Sequence, residues 1–283
     1  MRIAKIIIFT ILAISSTVTS FTQAQSSNFQ WFPGSQIFPA LEYDLLETQV
    51  YSGIFYLNTE KEDFTSAYIP VNLGFTKPFM QWQWSGFDLG LALGVASYTQ
   101  FEVERYHANT LRGGLLNIDY KASGLLYLQK GKHIFRLQLF HMSSHLGDDY
   151  MIRNEYFQRN DKSRSYEEIN LTYYYQLENL GIYACAGEVI SPNVFRKRFM
   201  AQGGFQAQIP VKPNAAISYG SDIKIYEENN FEPDIHCGIG IKFSKIGEKQ
   251  LSISFDGYYG YLPYSTLDYG KVFWAGISAG IWL

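Results

Sequence analysis

The sequence predicts an all-β chain, a transmembrane antiparallel β-barrel of about twelve strands behind an export signal and a short N-terminal segment. Three observations predict it: apolar and polar residues alternate with a period of two from about residue 48 to the end, short and long connections alternate, and the chain starts with a leader. Composition agrees with this. The 283 residues include 22 Tyr, 21 Phe, 5 Trp and 24 Gly, with 47% hydrophobic and 17% charged. Low charge with many aromatics excludes a disordered chain. A formal net charge of −3 leaves no electrostatic footprint for nucleic acid.

The leader comes first. Met1-Arg2-Ile3-Ala4-Lys5 is a short basic stretch, followed by an apolar run from Ile6 to about Ala13 and small residues ending at Thr22-Gln23-Ala24. This is the pattern of a Sec-type signal peptide over 1–24. No Cys follows the cleavage point, which argues against a lipid anchor. Losing Arg2 and Lys5 takes the formal charge from −3 to −5. Further on, no run of about 18 apolar residues offers a helical span. An exported barrel is expected in the outer membrane of a Gram-negative bacterium, with outer-membrane lipids and lipopolysaccharide as partners. Nothing in the sequence sets an oligomeric state.

Residues 25–47 form the second unit. With Trp31, Phe32, Pro33, Phe38, Pro39 and Leu41, the stretch from Phe29 to Glu47 is too apolar for a loose tail. It is expected to pack inside the barrel as a plug or along the periplasmic mouth. The barrel itself is expected over 48–283.

Strands are predicted at 48–58, 67–76, 87–100, 115–128, 132–146, 165–177, 180–190, 197–208, 214–226, 234–244, 250–261 and 272–283. In 250–261, for example, Leu251, Ile253, Phe255 and Tyr259 share one face, and Ser252, Ser254 and Asp256 the other. Alternation alone suits a soluble sandwich equally well. The connections decide for a membrane barrel: Gln129-Lys130-Gly131 and Glu178-Asn179 are tight, whereas Phe101 to Gly114, Gly147 to Arg164 and Leu262 to Lys271 are long and polar. Pro78 to Gly86 reads as an overlong turn. Charges in mid-strand (Asp119, Lys121, Arg136, Arg198, Asp222, Lys224, Lys242, Asp256) are expected to line the lumen. Asp119 with Lys121, and Asp222 with Lys224, are expected as ion pairs rather than a transport path. Trp82, Trp84, Trp274 and Trp282 are expected in interface girdles. Cys185 and Cys237 are too few and too distant for a disulfide scaffold or a zinc site, and Cys237 suits a small buried or lipid-facing position. His107, His133 and His236 lack metal-ligand spacing.

One segment carries residues that could do chemistry. His141, Ser143 and His145 share one face of the strand over 132–146, continuing Phe135, Leu137 and Leu139, while Arg136 and Gln138 take the lumen side. Without a bulge, all three polar residues look toward lipid near the outer leaflet. Acyl transfer by a serine needs a His to take its proton and a third group to orient that His. Glu167 shares the outward parity of Ile169, Leu171 and Tyr173 and is the candidate orienter, with Asp148 a second. Asp148 and Asp149 could instead orient His145 or bind a hard cation such as Ca²⁺, the one cofactor the residues suggest. The plainer reading is a tight strand end, in which Gly147 supplies a positive φ, Asp148 caps the turn, and Ser143 and His145 bond a neighbouring strand or lipid headgroups.

Two resemblances bear on the same residues. His141-x-Ser143 resembles the active-site strand of outer-membrane phospholipase A and of lipid A deacylases, which carry such a pair on the barrel's outer surface; Ser144 stands where those families have Asn. The longer string Ser143-Ser144-His145-Leu146-Gly147-Asp148-Asp149-Tyr150 resembles the Ser-Ser-His-Leu-Gly-Asp-Glu segment of domain-of-unknown-function family 1207. Phe38, Leu41, Asp44 and Glu47 match that family's Phe-x-x-Leu-x-Ala-Asp-Pro-x-Glu motif, with Leu45 in place of its Pro. This resemblance spans the N-terminal half and implies an outer-membrane protein, with no particular activity. Two functional expectations follow. One is an outer-membrane barrel of unassigned activity, acting as a pore or in a structural or surface-interaction role. The alternative is an outer-leaflet lipid acyl-ester hydrolase using His141 and Ser143.

Overall fold

In the computed structural model, residues 28–61, 67–106, 110–153, 155, 163–193, 195–244, 250–264, 266–267 and 269–282 are described. The expected leader and His107 lie outside the described residues. A short strand β1 (Asn28–Trp31) precedes twelve wall strands: β2 (Val50–Thr59), β3 (Ala67–Trp84), β4 (Phe87–Tyr106), β5 (Thr110–Lys130), β6 (His133–Leu146), β7 (Ser163–Gln176), β8 (Leu180–Val189), β9 (Phe199–Lys212), β10 (Ala215–Tyr226), β11 (Pro233–Ser244), β12 (Gln250–Tyr261) and β13 (Lys271–Trp282). A helix α1 (Asp148–Arg153) follows β6. Each wall strand pairs antiparallel with its sequence neighbour, and β13 closes on β2 from Val272↔Thr59 to Ile281↔Val50. Closure removes the free edges that lipid would not solvate.

Alternation becomes two surfaces. β6 alternates outward and buried residues through its length, the outward ones exposed as far as His141 and half-buried at Ser143 and His145. Its outward residues (Phe135, Leu137, Leu139) are apolar, and its inward Arg136 and Gln138 are buried. The tight turns gather at one end, which by the rule for such barrels is periplasmic, and most of the longer connections at the other; β4 and β5 run on to Tyr106 and from Thr110, so the expected long connection from Phe101 to Gly114 is largely strand. The end of β6 that bears Ser143 lies opposite the tight turns.

Pro78 to Gly86 is not a turn. β3 continues to Trp84, with an irregularity between Pro78 and Met80 that accommodates the proline, and only Ser85 and Gly86 turn. Their φ values of 49° and 77° make the left-handed pair of a two-residue hairpin. β3 is consequently 18 residues long against 10 for β2, and β2 pairs with it only as far as Tyr51↔Asn72. The overhanging edge is covered from the N-terminal segment. β1 pairs with Met80 to Gln83, the Phe32 amide donates to Phe79 O (2.9 Å), and Gln36 Nε2 donates to Thr76 O (3.3 Å).

The lumen is filled from both ends. Phe38, Leu41, Tyr43, Asp44, Leu45, Leu46 and Glu47 are buried in it. The motif spacing of three has a local cause: the Asp44 amide donates to Leu41 O and the Glu47 amide to Asp44 O, both 3.0 Å, so the segment is a run of tight turns. Asp44 pairs with Lys224 and accepts from Gln202 Nε2 (3.1 Å); Glu47 pairs with Arg136 (2.7 Å), whose guanidinium lies 4.4 Å from the Phe38 ring centre. Glu42 pairs with Lys242. From the outer side, the connection between β12 and β13 folds inward, burying Leu262, Tyr264, Thr266, Leu267 and Tyr269.

Several sequence expectations change here. Lys121 donates to Leu46 O (2.9 Å) rather than pairing with Asp119, and Lys224 takes Asp44 rather than Asp222. Residues two apart on a strand compete with a plug that the alternation pattern does not register. Trp274 leaves the girdle: it is 1% exposed, on β13's inward parity, stacked on Tyr258. Arg198 sits just before β9, exposed and paired with Glu188, not in the lumen. The outer connection over Leu262 to Lys271 is a cap rather than a solvated loop.

Candidate active site on the lipid-facing wall

β6 pairs with β5 and β7 without a register shift, so the outward parity of His141, Ser143 and His145 is kept to the strand's end. His141 stands between Ala122 on β5 and Glu167 on β7; Ser143 between Tyr120 and Ser165; His145 between Ile118 and Ser163. Polar groups here cost about 0–1 kcal/mol near the interface, against about 2–4 for a charge at the midplane.

His141 Nδ1 lies 2.8 Å from Glu167 Oε1. Since a carboxylate only accepts, Nδ1 donates, and Nε2 is left as the ring's acceptor. Both side chains are about half exposed, 49% and 46%, so as an ion pair the contact contributes little to stability. Ser143 Oγ lies 2.8 Å from His145 Nε2, and the His145 ring meets Tyr120 edge-on. The hydroxyl is thus engaged by His145, not by the expected His141. Two polar pairs, His141–Glu167 and Ser143–His145, stand side by side on one face.

The rest of the Ser143–Tyr150 string builds structure. Ser144 points inward, bonding Asp119 and lying 2.9 Å from Thr266 Oγ1, which ties β6 to the outer cap. Gly147 does not supply a positive φ. A Cβ there would lie 2.0 Å from Leu115 O, so the position needs close approach, and its amide donates to Leu116 O (2.8 Å). Asp149 Oδ2 accepts the Leu115 amide of β5 (2.9 Å), tying the strand end to its neighbour, while Asp148 opens α1. Among the described residues no group of three or more His, Cys, Asp or Glu could hold a metal ion.

A groove of about 590 Å³ opens beside the pairs, lined by His141, Ser143, Tyr120, Ala122, Ser97 and Phe75 among others. Sequence reasoning missed it. Its signal is the small residue Ala122, which interrupts the otherwise bulky outward run of β5 after Ile118 and Tyr120, with Ser97 opposite Tyr120 on β4.

The model of the family described as "Protein of unknown function (DUF1207)" matches residues 34–281. No curated protein matches the chain. Among solved structures, the outer membrane phospholipase dimer of Salmonella typhi with bound calcium is similar at 12% identity, over 88% of this chain and 94% of that one, with a TM-score of 0.50. An active-site mutant of outer membrane phospholipase A from Escherichia coli is similar at 11% identity over 87% and 94%, with a TM-score of 0.52. At such identities the likeness is one of fold: an outer-membrane β-barrel.

Proposed function

We propose that this chain, which belongs to the DUF1207 family, sits in the outer membrane of a Gram-negative bacterium and hydrolyses acyl esters of outer-leaflet lipids, phospholipid or the lipid A part of lipopolysaccharide. The observation that carries the reading is the 2.8 Å contact of His141 Nδ1 with Glu167 on the lipid-facing wall, one same-face position from Ser143. A carboxylate on Nδ1 holds Nε2 as a base and stabilises the imidazolium formed when it takes a proton.

In the first step, Ser143 Oγ turns from His145 to His141, gives its proton to Nε2 and attacks the ester carbonyl carbon. The tetrahedral adduct collapses, the C–O bond to the lipid breaks, and His141 returns the proton to the leaving alcohol. Water then attacks the Ser143 acyl ester with His141 again as base, releasing a free fatty acid and restoring the hydroxyl. The chemistry consumes only lipid and water. Ser143 and His141 both line the groove, which supports a substrate arriving from lipid.

A second reading rests on the contact the hydroxyl makes now. His145, 2.8 Å from Ser143 Oγ, would be the base and His141–Glu167 a headgroup contact. Because the Salmonella typhi phospholipase dimer carries bound calcium, the assay is run with and without EDTA. The test is mass spectrometry of lipid A and phospholipid acyl chains from membranes carrying the wild type, Ser143→Ala, His141→Ala or His145→Ala. Loss of an acyl group with the wild type but not with Ser143→Ala is expected. The base is the His whose removal matches Ser143→Ala. Identical spectra from folded wild type and Ser143→Ala would end the proposal.

A further inference from the structure

The outward face of β5 descends from the site toward the membrane midplane as Tyr120, Ala122, Gly124 and Leu126. Its flanks are bulky. Val95 and Leu93 stand beside Ala122 and Gly124 on β4, and His141 and Leu139 on β6. Tyr120 lies directly opposite Ser143 and Ala122 directly opposite His141. A Cβ placed on Gly124 would meet nothing within 4 Å. The wall therefore carries a trough, floored by a methyl and a hydrogen, with Leu93 and Leu139 standing clear at 60% and 49% exposure.

Among the described residues nothing crowds Gly124 into lacking a side chain. A glycine in mid-strand weakens the sheet, and here no neighbouring side chain fills the space. From Ala122 to Leu126 the strand covers about 13 Å, near half of the roughly 25 Å apolar band of such a barrel. β5 runs from the outer end to the periplasmic end, so the trough begins at Ser143 and His141 and runs down one leaflet. This is the path of an outer-leaflet acyl chain whose ester lies level with the site.

We propose that this trough seats the acyl chain whose ester Ser143 attacks, and that Ala122 and Gly124 determine which chains are accepted. The inference rests on the hydrolase reading above and adds the chain-recognition element. Ala122→Leu fills the floor beside the reacting group; Gly124→Leu fills it lower, so the two truncate the trough at different depths.

The experiment assays purified wild type, Ala122→Leu, Gly124→Leu and Ser143→Ala in detergent micelles. The substrates are phospholipids of graded acyl length and a short-chain soluble ester. Leu171→Phe, outward on β7 beyond the trough, is the control. Folding is checked by resistance to unfolding in SDS, since all four positions face outward. Both Leu variants are expected to lose about tenfold or more on long chains relative to the short ester, with Gly124→Leu sparing intermediate lengths that Ala122→Leu rejects. The control should keep the wild-type length profile. An unchanged profile in both folded variants, or equal losses on long and short esters, overturns the trough alone. Wild type inactive on every ester, or Ser143→Ala fully active, overturns the hydrolase reading and the trough with it.

Discussion

At the scale of single residues, β6 separates the proposed chemistry from scaffolding within one strand. Ser144 and Ser143 are adjacent, yet one ties β6 to the cap through Thr266 while the other faces lipid. Replacing Ser143 with Ala should therefore leave stability within about 0.5 kcal/mol of wild type, as for surface sites away from the core, while abolishing hydrolysis. Glu167→Gln keeps an acceptor for His141 Nδ1 but removes the charge that stabilises the imidazolium. We expect kcat to fall by roughly 10²-fold with KM nearly unchanged, read from steady-state rates on micellar substrate. If both constants stay at wild-type values, His141–Glu167 is not the working base, and His145 takes its place. Outward parity was legible because β6 keeps its period of two to the end. The hydroxyl's choice between two histidines was not, since both lie two residues away on the same face.

At the scale of elements, the N-terminal plug behaves as part of the wall's own core. Asp44 sits outside the membrane-spanning strands. Burial alone would raise its carboxyl, but Lys224, with Lys121 behind it, holds it down from 3.8 to about 2. A depressed value contributes stability above the ordinary pKa and loses it as pH falls through the folded one. Plug anchorage should weaken between about pH 4 and 2, visible as new protease cleavage within residues 33–49. Asp44→Asn leaves Lys224 buried without its partner and should cost about 3–5 kcal/mol in denaturant unfolding, whereas Asp44→Asn with Lys224→Met should cost less than the single change. The motif positions Phe38, Leu41, Asp44 and Glu47 could be read in the sequence, but not their partners. Arg136 and Lys224 are more than eighty residues downstream, and only barrel closure brings them together. β3 teaches the same lesson: its last third looks like a turn because Pro78 interrupts the alternation, and it stays a strand because the bulge at Pro78/Met80 and β1 satisfy its edge.

For the molecule as a whole, the filled lumen bears on whether such a barrel can conduct. A twelve-stranded wall can enclose a channel, but here its interior holds the plug on one side and the inward-folded 262–270 connection on the other. These fillings meet in one cluster of buried residues, Leu45 and Leu46 of the plug with Leu262, Tyr264, Leu267 and Tyr269 of the connection, but each has polar anchors of its own. The first is anchored by Asp44–Lys224, Glu47–Arg136 and Glu42–Lys242, and the second by Thr266 against Ser144 and by the packing of Tyr264 and Tyr269. Planar bilayers loaded with wild-type protein should therefore show no steady conductance. Weakening the plug alone, as in Asp44→Asn with Glu47→Gln, should leave the outer filling in place and conductance still near zero. Deleting residues 263–269 alone should likewise leave the plug as the barrier. Only the combination should open steps of constant size, because two seals in series must both fail before ions cross. Steady wild-type steps, or steps from either single change, would return the lumen to consideration as the functional surface. Their absence would count against a pore and leave the roles that need no open lumen.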